Sequence, residues 1–81
     1  MTVRVWLFAV AKELAHADFV EIDLPAGATV GLLRKRLPEC CASLGPLASY
    51  VLFAVDRQYA SDDTILRPEA EVACIPPVSG G

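Results

Sequence analysis

Glu71-Val72-Ala73-Cys74-Ile75-Pro76-Pro77-Val78-Ser79-Gly80-Gly81 is the run whose reading decides the fold. Its first five residues form an apolar, strand-like stretch. Pro76 and Pro77 lack the N–H that a strand ladder needs, and each biases the residue before it toward extended geometry. The chain is therefore expected to leave a last strand stiff and extended, then loosen at Ser79. Gly80 and Gly81 carry no Cβ, so they fit where a second protein crowds the backbone on all sides. Six extended residues reach roughly 20 Å at about 3.3 Å each, enough to carry a terminal carboxylate into another protein's deep pocket. Two parts are predicted: a folded body over residues 1–75 and an extended tail over 76–81.

Working outward, 81 residues make one domain. A chain this short buries only about 60–65% of its unfolded surface, so its core must be dense in apolar groups. The 54% hydrophobic content meets that need, and part of it is expected on the outside as a partner surface. Net charge is −3 and the densest basic run is Arg34-Lys35-Arg36, which is no stripe for nucleic acid. A mildly acidic domain suits a partner with a basic docking surface. No apolar run approaches the ~20 residues of a membrane span. Met1-Thr2-Val3-Arg4 does not start a signal peptide. Three cysteines, two of them adjacent, are not a disulfide framework. A reducing, cytoplasmic setting is expected.

The rest of the chain alternates, turns and alternates again. Val3, Val5 and Leu7 share one face of a first strand. Trp6 and Phe8 lie on the other, where packing under a loop is the first expectation and an exposed apolar patch the second. Val10 to Ala17 is rich in helix formers but reads as a linker of one or two turns, with His16 in solvent. Val20, Ile22 and Leu24 face inward on a second strand, with Glu21 and Asp23 outward. Pro25-Ala26-Gly27 is a turn. Thr29 is the N-cap of the main helix, whose buried stripe is Val30, Leu33 and Leu37, with Arg34, Lys35 and Arg36 toward water. Pro38 is expected to stop or kink that helix near Leu37, and Cys40 and Cys41 to pack at its end. Tyr50 to Val55 is a continuous apolar run, which predicts a strand covered on much of both faces. Asp56-Arg57-Gln58 turns the chain and Tyr59-Ala60 makes a short pairing. Ser61-Asp62-Asp63 reads as a turn and helix cap rather than a metal site.

The order β-β-α-β-(β)-β predicts an α+β roll, a mixed sheet packed on one main helix. Its first and last strands lie side by side in parallel if the helix crosses over between the two halves.

Val72 to Gly81 resembles the C-terminus of the MoaD/ThiS family of ubiquitin-like sulfur carriers, and among them the small subunits of molybdopterin synthase. Leu7-Phe8-Ala9-Val10-Ala11-Lys12-Glu13-Leu14 is similar to the family's first strand and turn, and Ala28-Thr29-Val30-Gly31-Leu32-Leu33 to the start of its helix. Relatives often carry aromatic residues where Cys74-Ile75 stands. The resemblance implies a ubiquitin-like β-grasp. Inside the domain there is no serine–histidine–acid set, no phosphate-cradling glycine loop and no carboxylate pair in a cleft, so the α-carboxylate of Gly81 is the candidate reactive group.

By that resemblance, a ubiquitin-activator-like adenylating enzyme joins the Gly81 carboxylate to AMP. A sulfur donor then displaces AMP and leaves a thiocarboxylate. The charged tail enters the large subunit of molybdopterin synthase, and sulfur passes to a cyclic pyranopterin monophosphate. Two such transfers build the dithiolene that later holds molybdenum. Carried over residue by residue, Gly81 bears the thiocarboxylate and Gly80 passes the narrow channel with Ser79. Pro76, Pro77 and Val78 guide the tail and pack on the partner, with apolar contact from Ile75 and Phe8. No bound cofactor or metal is expected, ATP being used by the adenylating partner, and no nucleic acid or membrane is involved. Cys74 reads as a small buried hydrophobe, not a sulfur donor. The rival readings are a carrier for thiamine-thiazole or cysteine synthesis, a ubiquitin-like protein modifier, and a plain interaction module.

Overall fold

The computed structural model describes residues 1–77. Its elements are β1 (Thr2–Leu7), α1 (Ala9–Ala15), β2 (Phe19–Asp23), α2 (Val30–Cys40), a 3-10 helix (Ala42–Leu47), β3 (Leu52–Val55), β4 (Gln58–Ala60) and β5 (Glu71–Ile75). One sheet holds all five strands in the order β2-β1-β5-β3-β4. β1 pairs antiparallel with β2 and parallel with β5, as the crossover requires, and β3 is antiparallel to both β4 and β5. This is the expected α+β roll, a ubiquitin-like β-grasp.

Period-two patterning sets which side of the sheet is dry. Val3, Val5 and Leu7 of β1, Val72 and Cys74 of β5, and Phe53 of β3 point to one face. Against them α2 lays Val30, Leu33 and Leu37, all fully buried. Leu44 of the 3-10 helix and Ala11 of α1 close the same core. The stretch expected to be a linker is therefore a seven-residue helix, because Ala11 is small enough to seat against the core. His16 ends it in a left-handed conformation, exposed.

Helix α2 begins as the sequence predicts. The Thr29 hydroxyl accepts from the Leu32 N–H at 3.2 Å. The next free donors are taken by the 61–64 turn: Val30 N–H reaches Thr64 O and Gly31 N–H reaches Asp62 O, each at 2.9 Å. Glycine eases that approach, since a Cβ on Gly31 would stand a tight 3.2 Å from Asp62 O. The Ser61-Asp62-Asp63 turn thus caps the helix through backbone carbonyls rather than side chains.

Four expectations are corrected. Pro38 does not stop α2, which runs on to Cys40 and ends with Cys41 N–H on Leu37 O at 2.9 Å. The proline forfeits one hydrogen bond near the helix end, while buried Leu37 and Leu44 on either side hold the backbone in place. The Tyr50–Val55 run is not covered on both faces either: Leu52 is 54% and Tyr50 68% exposed. Helices cover one side of the sheet and nothing in the described chain covers the other. For the same reason Phe8 lies under no loop. On the helix side, Cys40 sits exposed at the end of α2 instead of packing there, while Cys41 packs against the core.

Candidate functional site

The uncovered side of the sheet carries a row of apolar residues aligned by strand register, beside a charged strip of Arg4, Glu21 and Glu71. Trp6 pairs with Phe19 across β1–β2 and with Ala73 across β1–β5. Ala73 pairs with Ala54, and Ala54 with Tyr59. The row Phe19–Trp6–Ala73–Ala54–Tyr59 therefore crosses all five strands on one face. One pair further along, Ile75 stands beside Leu52, with Phe8 just beyond the end of β1. Phe8 is 50% and Tyr59 72% exposed, unusual for large apolar groups with no partner.

Alternating size gives this face its relief. Ala54 and Ala73 are the floor of an open trough of about 410 Å³, and Phe8, Ile75, Tyr59 and Arg57 are its walls. The trough would seat one protruding apolar side chain of a partner, the arrangement that hot spots favour. On its far side Trp6 is fixed in place. Its ring lies 5.1 Å from that of Phe19, and its indole N–H donates to Glu71 at 2.6 Å. Arg4 stacks over Phe19 at 4.4 Å while pairing with Glu21.

β5 connects the trough to the tail. Its outward residues Ala73 and Ile75 line the trough, and the next residue is Pro76, buried, followed by Pro77, exposed. Of the expected site residues, the structure brings Phe8 and Ile75 together on the trough and places Pro76 and Pro77 at its exit. Val78, Ser79, Gly80 and Gly81 lie outside the described residues. Sequence reasoning missed Ala54, Arg57, Tyr59 and Ala73. Their signal was the small residues interrupting two apolar strands, legible only once the register aligned them.

Cys74, directly between Ala73 and Ile75, points the other way. It is fully buried, and burial pushes its thiol up to about 11 despite the opposing charge of Arg34. A buried thiol of that kind holds its proton at neutral pH and is a poor nucleophile. Among the described residues no three His, Cys, Asp or Glu side chains are grouped to hold a metal ion, and no helix is long and apolar enough to cross a membrane.

A model of the ThiS family matches residues 5–81. A molybdopterin synthase sulfur carrier subunit of Arabidopsis thaliana is 34% identical over 79 residues, spanning 98% of this chain and 82% of the relative. Among solved structures, SAMP1 of Haloferax volcanii superposes with a TM-score of 0.87 at 25% identity, each chain covered completely. A chain in the complex of subunits 1 and 2 of the molybdopterin-converting factor from Helicobacter pylori has the same fold, with a TM-score of 0.71 at 22% identity over all of both chains.

Proposed function

This chain belongs to the ThiS family, and we propose that it is the sulfur-carrier subunit of a molybdopterin synthase. The observation that carries the reading is its end-to-end similarity to molybdopterin synthase sulfur carrier subunits. The fold supports it in a second way: the strand that runs into the Gly-Gly tail is also the strand that lines the exposed trough.

The chemistry is assigned to Gly81. A carboxylate is a poor electrophile, so it is first joined to AMP by an adenylating partner that consumes ATP. A sulfur donor then attacks the acyl carbon and AMP leaves, giving a thiocarboxylate. That group is ionised near neutral pH and nucleophilic, as a thiolate is. In the complex with the large subunit it delivers sulfur to cyclic pyranopterin monophosphate, and two deliveries complete the dithiolene. The domain holds no catalytic set or cofactor of its own in this scheme. Its task is to aim the tail.

The aiming follows from the geometry. A large subunit that docks on the row from Trp6 to Tyr59 and fills the trough fixes the direction of β5. Pro76, anchored by burial, and Pro77 have ring-fixed φ, and Pro77 also holds Pro76 extended, so the chain leaves the sheet along the direction of β5. The Helicobacter complex of subunits 1 and 2 supports a large subunit as the partner. A second reading, protein modification through Gly81, is favoured by the full-length superposition on SAMP1, named a small archaeal modifier protein. Attachment of Gly81 to lysines of many cell proteins would select it.

Deleting Gly81 tests the proposal. The core lies within residues 1–77, so thermal unfolding stays unchanged while dithiolene formation with the large subunit is abolished. Equal product formation by the shortened chain overturns the assignment.

A further inference from the structure

Arg57 sits where the backbone disfavours any side chain. β3 and β4 are joined by the two-residue turn Asp56-Arg57, closed by the pair Val55↔Gln58. Both turn residues have positive φ, 50° and 73°. Such a turn favours Asn or Asp first and glycine second, because an L-side chain in the left-handed region crowds its own carbonyl.

Asp56 has a structural return for its conformation. Its carboxylate accepts from Arg67 at 2.6 and 3.1 Å and from the Glu71 N–H at 3.2 Å, tying the turn to the start of β5. Arg57 has none. Five of the seven Lys and Arg side chains form ion pairs among the described residues, through Arg4, Lys12, Arg34, Arg36 and Arg67. Arg57 does not, and Lys35 lies across the molecule on the solvent side of α2. Instead Arg57 lies over the trough beside Tyr59. The carboxylates nearest this face are already engaged: Asp56 by Arg67, Glu71 by Trp6, Glu21 by Arg4. Strain without a fold-stabilising return is found preferentially at functional positions.

We propose that Arg57 is the electrostatic anchor of the docking face, recognising a carboxylate that the large subunit presents over the trough. The inference rests on the proposed docking of that subunit. The charge of the face says what that subunit has to present. A guanidinium at the rim of an apolar surface is weakly hydrated and pairs a carboxylate through two parallel hydrogen bonds. The chain as a whole carries −3, with Glu21 and Asp23 at the β2 end of the face. A single cation at the β4 end gives the face a polarity that sets the orientation of the docked subunit.

The test measures affinity for the purified molybdopterin synthase large subunit at low and high salt, for the wild-type chain and Arg57→Gln, Arg57→Glu and Arg57→Gly. Thermal unfolding and self-association are followed alongside. Arg57→Gly unfolds no earlier than wild type, since glycine relieves the turn. It and Arg57→Gln bind about five- to tenfold more weakly, Arg57→Glu more weakly still, and the salt dependence of binding shrinks in all three. Wild-type affinity in Arg57→Gln and Arg57→Glu overturns the anchor while leaving the proposed function standing. So does a change confined to self-association, which would make a second copy of this chain the occupant. Failure of the wild-type chain itself to bind the large subunit overturns both.

Discussion

Arg34→Met is expected to destabilise the fold by about 2–4 kcal/mol without touching the proposed docking face. One nitrogen of Arg34 donates to Ala48 O at 2.9 Å and to Val51 O at 2.7 Å. The rest of the guanidinium reaches Asp62 at 3.1 and 3.2 Å, and it stacks 5.0 Å from the centre of the Phe53 ring. The side chain thus pins α2 to the segment leading into β3 and to the turn that caps α2. Methionine keeps the stem's packing but strands two carbonyls of buried residues, each worth about 1–3 kcal/mol. The side chain is 21% exposed, so water recovers part of this and the two carbonyls together cost about 1.5–3 kcal/mol. Lost stacking adds about 0.5–1 kcal/mol. A chain of this length has roughly 4–12 kcal/mol of stability in all, so the loss is a large fraction. It corresponds to a drop of roughly 10–30 °C in Tm. Urea titration with the slope monitored gives the value directly, and Asp62→Ala is the control, removing only an exposed ion pair worth about 0–1 kcal/mol. Equal losses for Arg34→Met and Asp62→Ala would refute the reasoning, because they would place the energy in the ion pair rather than in the two carbonyls.

Cys74→Ala leaves sulfur transfer intact, because the thiol is buried and protonated, and costs about 1 kcal/mol for the small void. Loss of product by a folded Cys74→Ala protein would show that the wrong sulfur path has been assigned. Asp56 contributes a pH dependence. The hydrogen bonds from Arg67 and then from the Glu71 N–H hold its carboxyl below the ordinary 3.8. A folded pKa lower than the unfolded one gives stability that is present above the ordinary value and is lost as pH falls through the folded value. The gap in urea midpoint between wild type and Asp56→Asn is therefore full near about pH 6 and closes in the acid range below the ordinary carboxylate pKa. A gap that stays constant down to strong acid removes Asp56 as its source.

Much of this fold is legible in the sequence because period-two patterning marks β1 and β2 and short apolar runs mark β3 and β5. Val3-Val5-Leu7 and Val20-Ile22-Leu24 alternate cleanly, and the prolines after Ile75 close the last strand. Pro38 misleads because a proline's local penalty is offset by buried leucines on both sides, a tertiary effect. Arg34 is missed for a different reason. It fills the i+4 position of the stripe Val30, Leu33, Arg34, Leu37, a pattern that marks a half-buried site, yet two cationic neighbours suggest solvent. The run from Tyr50 to Val55 reads as doubly covered because apolar content alone does not tell a core from a partner surface. The trough is the least legible feature. Its floor and walls come from three strands, the turn between β3 and β4, and Phe8, and only the pairing Ala73↔Ala54 and Ala54↔Tyr59 assembles them. The chemistry at Gly81 rests on residue types and resemblance, and is tested in solution.

Intact mass of the protein isolated from its own cells bears most directly on the central claim. A fraction heavier by one oxygen-to-sulfur exchange, mapped to the peptide ending in Gly81, is the predicted result. A chain whose end is never sulfur-loaded, in cells that are making the dithiolene, would contradict it.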